Sequence, residues 1–311
     1  MSEKIIQLKN IVKRYDNIMA LDHVSVSIPH SAIIGFIGPD GAGKSTLMKI
    51  ILTLETADEG EGTVLGNSIE TKKRAIRRHI GYMPEIFSLY TDLSVEENLK
   101  FFFQIYKIPK SQYKEKMEML YGFNRLENFK ATLAGHLSGG MKQKLALSCA
   151  LMHDPKILVL DEPTTGVDPV SRAEFWKMLN QLKSEGKTVL ISTPYLDEAM
   201  QCDYIYLFHQ GKILKQGLPD QIISEYEIPF YQIETRDPIP AMKKLQRSQL
   251  HARFYLIGDT IHCAMLTKAE PSVLEMKKIA GDEITIKKIT PTLEDIFLDL
   301  LERPGEINDV K

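Results

Sequence analysis

No run in this 311-residue sequence approaches the roughly 18 consecutive apolar residues needed to span a bilayer, and its opening MSEKIIQLKNIVKRYDN has no stretch apolar enough for a signal peptide. Any service to a membrane would therefore pass through a partner that crosses it. Cysteine is scarce: Cys149, Cys202 and Cys263 are scattered, with no CxxC and no His-Cys cluster. That argues against a disulfide framework or a zinc site and leaves them as buried small hydrophobes of a reducing compartment. Charge of one sign is missing too. With 39 Lys and Arg against 41 Asp and Glu, the formal net charge is -2, so no global surplus points to nucleic acid or to an anionic membrane. Internal repeats and low-complexity tracts are absent. Apolar residues at 43% leave enough material for an ordinary folded core.

The first 225 residues alternate β-rich and helical patterns, which predicts an α/β domain around a mainly parallel sheet. AIIGFIG (32–38) reads as a buried strand running into a glycine-rich turn, and STLMKIILTL after it has helical spacing. KILVLDEP (156–163) and KTVLIST (187–193) read as further buried strands, and DYIYLFHQGKIL (203–214) as a hairpin around Gln210-Gly211. Residues 90–150 lose the strand signal and predict an all-helical insert. From 226 to 311 the pattern becomes strand-helix-strand-strand-helix-strand, a split βαβ, ferredoxin-like unit. It ends in a helix opened by a Thr292…Asp295 capping box.

GPDGAGKS (38–45) has Gly38, Gly43, Lys44 and Ser45 at phosphate-loop spacing, with Asp40 and Gly41 inside the turn and Thr46 following. Glycines let backbone N–H groups surround a β-phosphate while the following helix aims its positive end at it. Lys44 would reach the β- and γ-phosphates, and the Ser45 hydroxyl would ligate Mg²⁺. Asp161-Glu162, at the end of an apolar strand, is the complement: Asp161 for the metal shell, Glu162 as general base. LSGGMKQ (137–143) opens a helix with Ser138, Gly139 and Gly140, a second anion-binding N-terminus. One nucleotide does not need two cradles from one chain. The second cradle is best explained as closing over a nucleotide held by another copy or relative.

In this order and spacing the motifs resemble an ABC transporter ATPase cassette, a P-loop α/β fold with a helical insert and, here, a small C-terminal α+β accessory domain. The resemblance implies that Tyr15 stacks on adenine, that Gly166, Val167 and Asp168 cross the dimer interface, and that GYMPE (81–85) is the hinge sensing the permease. It implies ATP and Mg²⁺ as cofactors. The implied partners are a second cassette and an integral-membrane permease, with no nucleic acid, and the implied place is the inner face of the cell membrane. The tail ending ITPTLEDIFLDLL resembles that of drug- and polymer-exporter cassettes.

Two positions depart from the family. Where it places a histidine that bonds the γ-phosphate and attacking water, this chain has Ser192-Thr193-Pro194-Tyr195, and Pro194 offers no donor at all. The hinge glutamine is Glu85, which can ligate Mg²⁺ but has no amide donor. Both features resemble the first cassette of tandem-cassette export ATPases. They leave two readings open: a competent ATPase, or a slow subunit that completes the site of a competent partner. A DNA- or ribosome-acting relative fits poorly, since the insert is short and basic surplus is lacking. The basic run KKRAIRRH (72–79) reads as a solvated helix face, with a contact patch as the alternative.

Overall fold

The computed structural model describes residues 4–266, 273–281 and 283–303. In chain order the first part comprises β1 (Lys4–Tyr15), β2 (Ile18–Pro29), β3 (Ile33–Ile37), α1 (Lys44–Ile51), β4 (Glu59–Val64), β5 (Asn67–Ser68), α2 (Lys73–Arg77) and β6 (Ile80–Met83). The helices α3 (Val95–Ile105), α4 (Tyr113–Asn124) and α5 (Gly139–Leu151) follow. Then come β7 (Ile157–Asp161), α6 (Pro169–Ser184), β8 (Thr188–Thr193), α7 (Leu196–Ala199), β9 (Tyr204–His209) and β10 (Lys212–Gly217).

Residues of β3, β7 and β8 are buried throughout, as expected of strands covered on both faces. They lie in a six-stranded sheet of order β10-β9-β3-β8-β7-β6, with β3, β6, β7, β8 and β9 in parallel register. The hairpin into β10 turns through Gln210 and Gly211, both at positive φ (45 and 78°), as its two-residue loop requires. A separate antiparallel sheet, β2-β1-β4-β5, has no counterpart in the sequence reading. Helix α1 joins the two sheets, because Leu47, Met48, Ile50 and Ile51 share one core cluster with Ile6, Leu8 and Ile28 on one side and Phe36, Val159 and Leu190 on the other. No strand occurs between Met83 and Ile157 among the described residues; the insert is helical, and α3 is opened by a Ser94/Glu97 capping box. The three cysteines are buried and free.

Parallel pairing decides where chemistry can occur. Ile37 pairs with Thr193 and Asp161 with Ser192, so Gly38, Asp161-Glu162 and Thr193-Pro194 emerge at one edge of the sheet. Carboxyl ends of parallel strands are where such folds bind ligands.

The chain divides into two compact units, Met1–Gln216 and Gly217–Lys311. The sequence pattern changes later, at 226, because helix α8 (Pro219–Ser224) precedes it. That helix packs on the last helix of the second unit. The second unit continues with β11 (Phe230–Glu234), α9 (Pro238–Gln246), β12 (Ala252–Ile257), β13 (Thr260–Met265), α10 (Val273–Ala280), β14 (Thr285–Ile289) and α11 (Leu293–Leu301). Pro271 and Ser272, which the sequence assigned to the start of α10, lie outside the described residues. The sheet order is β12-β13-β11-β14, all antiparallel. Alternation along β11 sends Tyr231 and Ile233 into a cluster with α9 and α10. Phe230 goes into another that includes Leu298 of α11.

Helix α11 is fixed by charge as well as by packing. Asp299 is fully buried and accepts from Tyr226 Oη (2.5 Å), Arg253 Nη1 (2.7 Å) and Arg303 Nη2 (2.6 Å). Asp295 closes the capping box with Thr292 and bonds His262 Nδ1 at 2.6 Å. Removing one member of a buried ionic network strands the others. Asp299→Ala is therefore expected to destabilise the second unit by about 3–5 kcal/mol, and Asp299→Asn by less. Urea unfolding followed by circular dichroism measures both.

Candidate nucleotide site

The loop between β3 and α1 is shaped by contacts that exclude side chains. A Cβ on Gly38 would lie 2.3 Å from the Phe208 carbonyl oxygen, and one on Gly43 (φ 104°) 2.5 Å from the Ala20 carbonyl oxygen. Lys44 is buried at 3% exposure; its ammonium donates to the Gly38 and Pro39 carbonyls (2.7 and 2.9 Å) and lies 3.6 Å from Glu162 Oε1. A lysine curled into its own loop this way sits where a phosphate needs its charge. Asp40 and Gly41 are exposed at the loop tip, and Thr46 is half-buried in the first turn of α1.

Asp161 joins three elements. Its Oδ1 accepts from Ser45 Oγ at 3.0 Å and from Ser192 Oγ at 2.5 Å. Beside it Glu162 adopts a left-handed backbone (φ 48°), uncommon for a non-glycine residue, held by its N–H donating to Ser192 Oγ at 2.9 Å. Burial pushes the Glu162 carboxyl above its usual value. Lys44 opposes this, while the charges of Glu85 and Asp40 add to it. Glu85 itself is exposed, just beyond β6; burial, Asp161 and Glu85 together push the nearby Tyr82 hydroxyl up to about 12.

The remaining residues singled out by sequence fall into two groups. Tyr15 ends β1, exposed, with the Lys13 ammonium 5.3 Å from its ring centroid; its hairpin leads to Ala20, which abuts Gly43. Ser138 caps α5 by accepting from Met141 N (3.3 Å), and Ser138 and Gly139 are exposed. A Cβ on Gly139 would lie 3.4 Å from the Gly166 carbonyl oxygen and one on Gly140 2.7 Å from Ser171 Cβ, so this helix start is pressed against the Gly166 loop and the first turn of α6. Among the described residues no hydrogen bond or ion pair joins the 38–46 loop to residues 138–140.

A family model described as ABC transporter matches residues 21–165. Nod factor export ATP-binding protein I of Burkholderia orbicola is 34% identical over 304 residues, covering 97% of this chain and 99% of that protein. The chain belongs to the ABC transporter ATP-binding family. The Probable multidrug ABC transporter ATP-binding protein YbhF of Escherichia coli is 36% identical over 312 residues, 98% of this chain and 53% of that protein. This chain thus spans about half the length of that relative. A solved ATP-binding cassette, dimeric and in a post-hydrolysis state with ADP and phosphate, superposes with a TM-score of 0.63. That match is 26% identical and covers 68% of this chain and 98% of that one.

In this ABC cassette the oxygens of Ser45 and Asp161 suit a hard divalent cation. Among the described residues no group of three or more His, Cys, Asp or Glu forms a metal cage. Sequence reasoning passed over two residues. Ser192 was read only as part of the stretch lacking histidine, yet it anchors both Asp161 and Glu162; a small polar residue ending an apolar strand was the available signal. Asn98, fully buried on α3, bonds Tyr90 N and O and the Leu93 and Ser94 carbonyls, pinning the segment after Glu85; one polar residue on an apolar helix face hinted at it.

Gly38→Ala is expected to abolish ATP binding and to cost about 1–3 kcal/mol of stability, since its Cβ meets backbone that cannot swing aside. Isothermal titration and thermal unfolding of the variant check both effects.

Proposed function

We propose that this cassette binds ATP–Mg²⁺, pairs head-to-tail with a second cassette, and drives an export permease by ATP binding and hydrolysis. The observation that carries this reading is the meeting of Lys44, Ser45, Asp161 and Glu162 at one sheet edge while the Ser138-Gly139-Gly140 cradle stands exposed elsewhere. Each nucleotide then lies between the phosphate loop of one cassette and the helix α5 N-terminus of the other. Ser45 and Asp161 would hold a Mg²⁺ ion, with Glu85 as a further carboxylate, and the ion would supply charge to neutralise the phosphates. Tyr15 supports the adenine from its exposed hairpin. Glu162 takes a proton from water as the water oxygen attacks the γ-phosphorus and the bond to ADP breaks. Its upward-shifted carboxyl suits that role. Among the described residues no helix is long and apolar enough to cross a membrane. An integral-membrane permease as partner would hold the cassette at the inner membrane face. The name of one relative, Nod factor export ATP-binding protein I, supports the direction.

A second reading is favoured by the loop after β8. Pro194 has no donor, and the Tyr195 ring packs on Arg172, whose guanidinium carbon is 5.0 Å from the ring centroid. The Tyr195 hydroxyl forms no hydrogen bond to Lys44, Asp161 or Glu162 among the described residues. The cassette is then the slow half of an unequal pair, binding ATP well while its transition state lacks a donor worth about 2.7–4 kcal/mol.

Lys44→Ala is expected to lower ATP affinity steeply in a fluorescent-nucleotide titration, and unchanged affinity would sink the site assignment. Steady-state phosphate release by the isolated protein is expected to be slow and to rise in the Pro194→His, Glu85→Gln double variant. A rate of several turnovers per second without those changes rules out the slow-half reading.

A further inference from the structure

The basic run 72–79 does not face open solvent alone. In the first unit, Lys73, Arg74, Arg77 and Arg78 line one wall of a cavity of about 860 Å³, and the helical insert brings Lys107 and Lys116 to another. Six cations thus converge from segments far apart in a chain whose net charge is -2. Among the described residues none of the six is in an ion pair with a carboxylate across this space. Lys73 and Arg77 spend their donors on neutral oxygens, of Thr56 and of Thr53. The one acid in the lining, Asp154, is already held by Lys187 at 2.6 Å. Burial lowers the Lys116 ammonium from its usual value, with Asp154 opposing and Lys187 adding.

The rest of the wall is apolar or aromatic. The Tyr106 and His153 rings are stacked, centroids 4.1 Å apart, beside Ile108 and Met152. Crowded cations without counter-charges cost stability, and guanidinium groups match phosphate oxygens in fork geometry. We propose that this cavity is a binding seat for a phosphate ester bearing an apolar or aromatic portion. An acidic phospholipid headgroup and a soluble phosphorylated metabolite share that chemistry. The seat adjoins the nucleotide site through one strand: α2 leads into β6, whose Ile80 carbonyl is 3.1 Å from His153 Nε2, and Glu85 follows β6. An occupant at this wall therefore bears on the segment that carries Glu85.

The test uses the full chain and three probes. Flotation with phosphatidylglycerol-containing vesicles, against pure phosphatidylcholine, reads the lipid arm. Calorimetric titration of inorganic pyrophosphate into the Lys44→Ala protein, whose phosphate loop is disabled, reads the soluble arm. Polyglutamate is the carboxylate control. The variant Arg74→Gln, Arg78→Gln, Lys107→Gln changes only exposed side chains; its ATP affinity should match the unaltered protein and its unfolding midpoint should equal or exceed it, since repulsion is relieved. Binding of whichever phosphate probe is held should weaken by about a hundredfold, roughly fivefold per cation removed. Vesicle binding that pyrophosphate does not displace identifies a lipid, and direct pyrophosphate binding identifies a soluble ester; either supports the seat. Failure of both probes, equal binding by the triple variant, or binding of polyglutamate alone overturns it.

Discussion

Asp161 is the joint on which the nucleotide site rests. A single carboxylate oxygen receives the hydroxyls of Ser45 and Ser192, and so ties the start of α1 to the ends of β7 and β8. Burying a carboxylate is costly unless its lone pairs are occupied, and these two bonds occupy those of Oδ1. Ser192 also receives the Glu162 N–H, which holds that residue in its left-handed backbone and aims its carboxylate toward Lys44. The positions of Ser45, Asp161 and Glu162 thus follow from one hydrogen-bonded knot, with the Lys44 ammonium 3.6 Å from Glu162 Oε1 beside it. Parallel pairing of β3, β7 and β8 brings its parts to the same edge.

Much of this was legible in the sequence, for physical reasons that differ by element. Fully buried parallel strands such as IIGFI and ILVLD are apolar without alternation, and the glycines of the phosphate loop mark close backbone approaches that tolerate nothing larger. The capping boxes at Ser94 and Thr292 follow from local chemistry alone. What stayed hidden was long-range. Nothing local to Ser192 announces its bonds to residues some thirty positions earlier. The antiparallel sheet was missed because β1 and β2 pair through several register shifts that blur their alternation. The basic run at 72–79 looked like a solvated face because Lys107 and Lys116, which complete its cavity, come from the helical insert.

The departures at Pro194 and Glu85 take on weight from this geometry. The end of β8 contributes Ser192 to Asp161, and two residues on the loop that follows carries a proline that donates nothing. In the slow-half reading proposed above, a site built this way would separate binding from turnover, since only the latter depends on a donor aimed at the transition state. The exposed α5 N-terminus shares no hydrogen bond with either position among the described residues.

The central claim, that Asp161 is both the structural joint and the metal ligand, is tested most directly by ATP affinity with and without Mg²⁺ in the unaltered protein and in Asp161→Asn. Asparagine keeps an acceptor for Ser45 and Ser192 but loses the charge the metal needs. The account predicts that Mg²⁺ tightens ATP binding to the unaltered protein and does little for Asp161→Asn, while metal-free ATP binds both comparably. An Asp161→Asn protein that keeps the full Mg²⁺ dependence would contradict it.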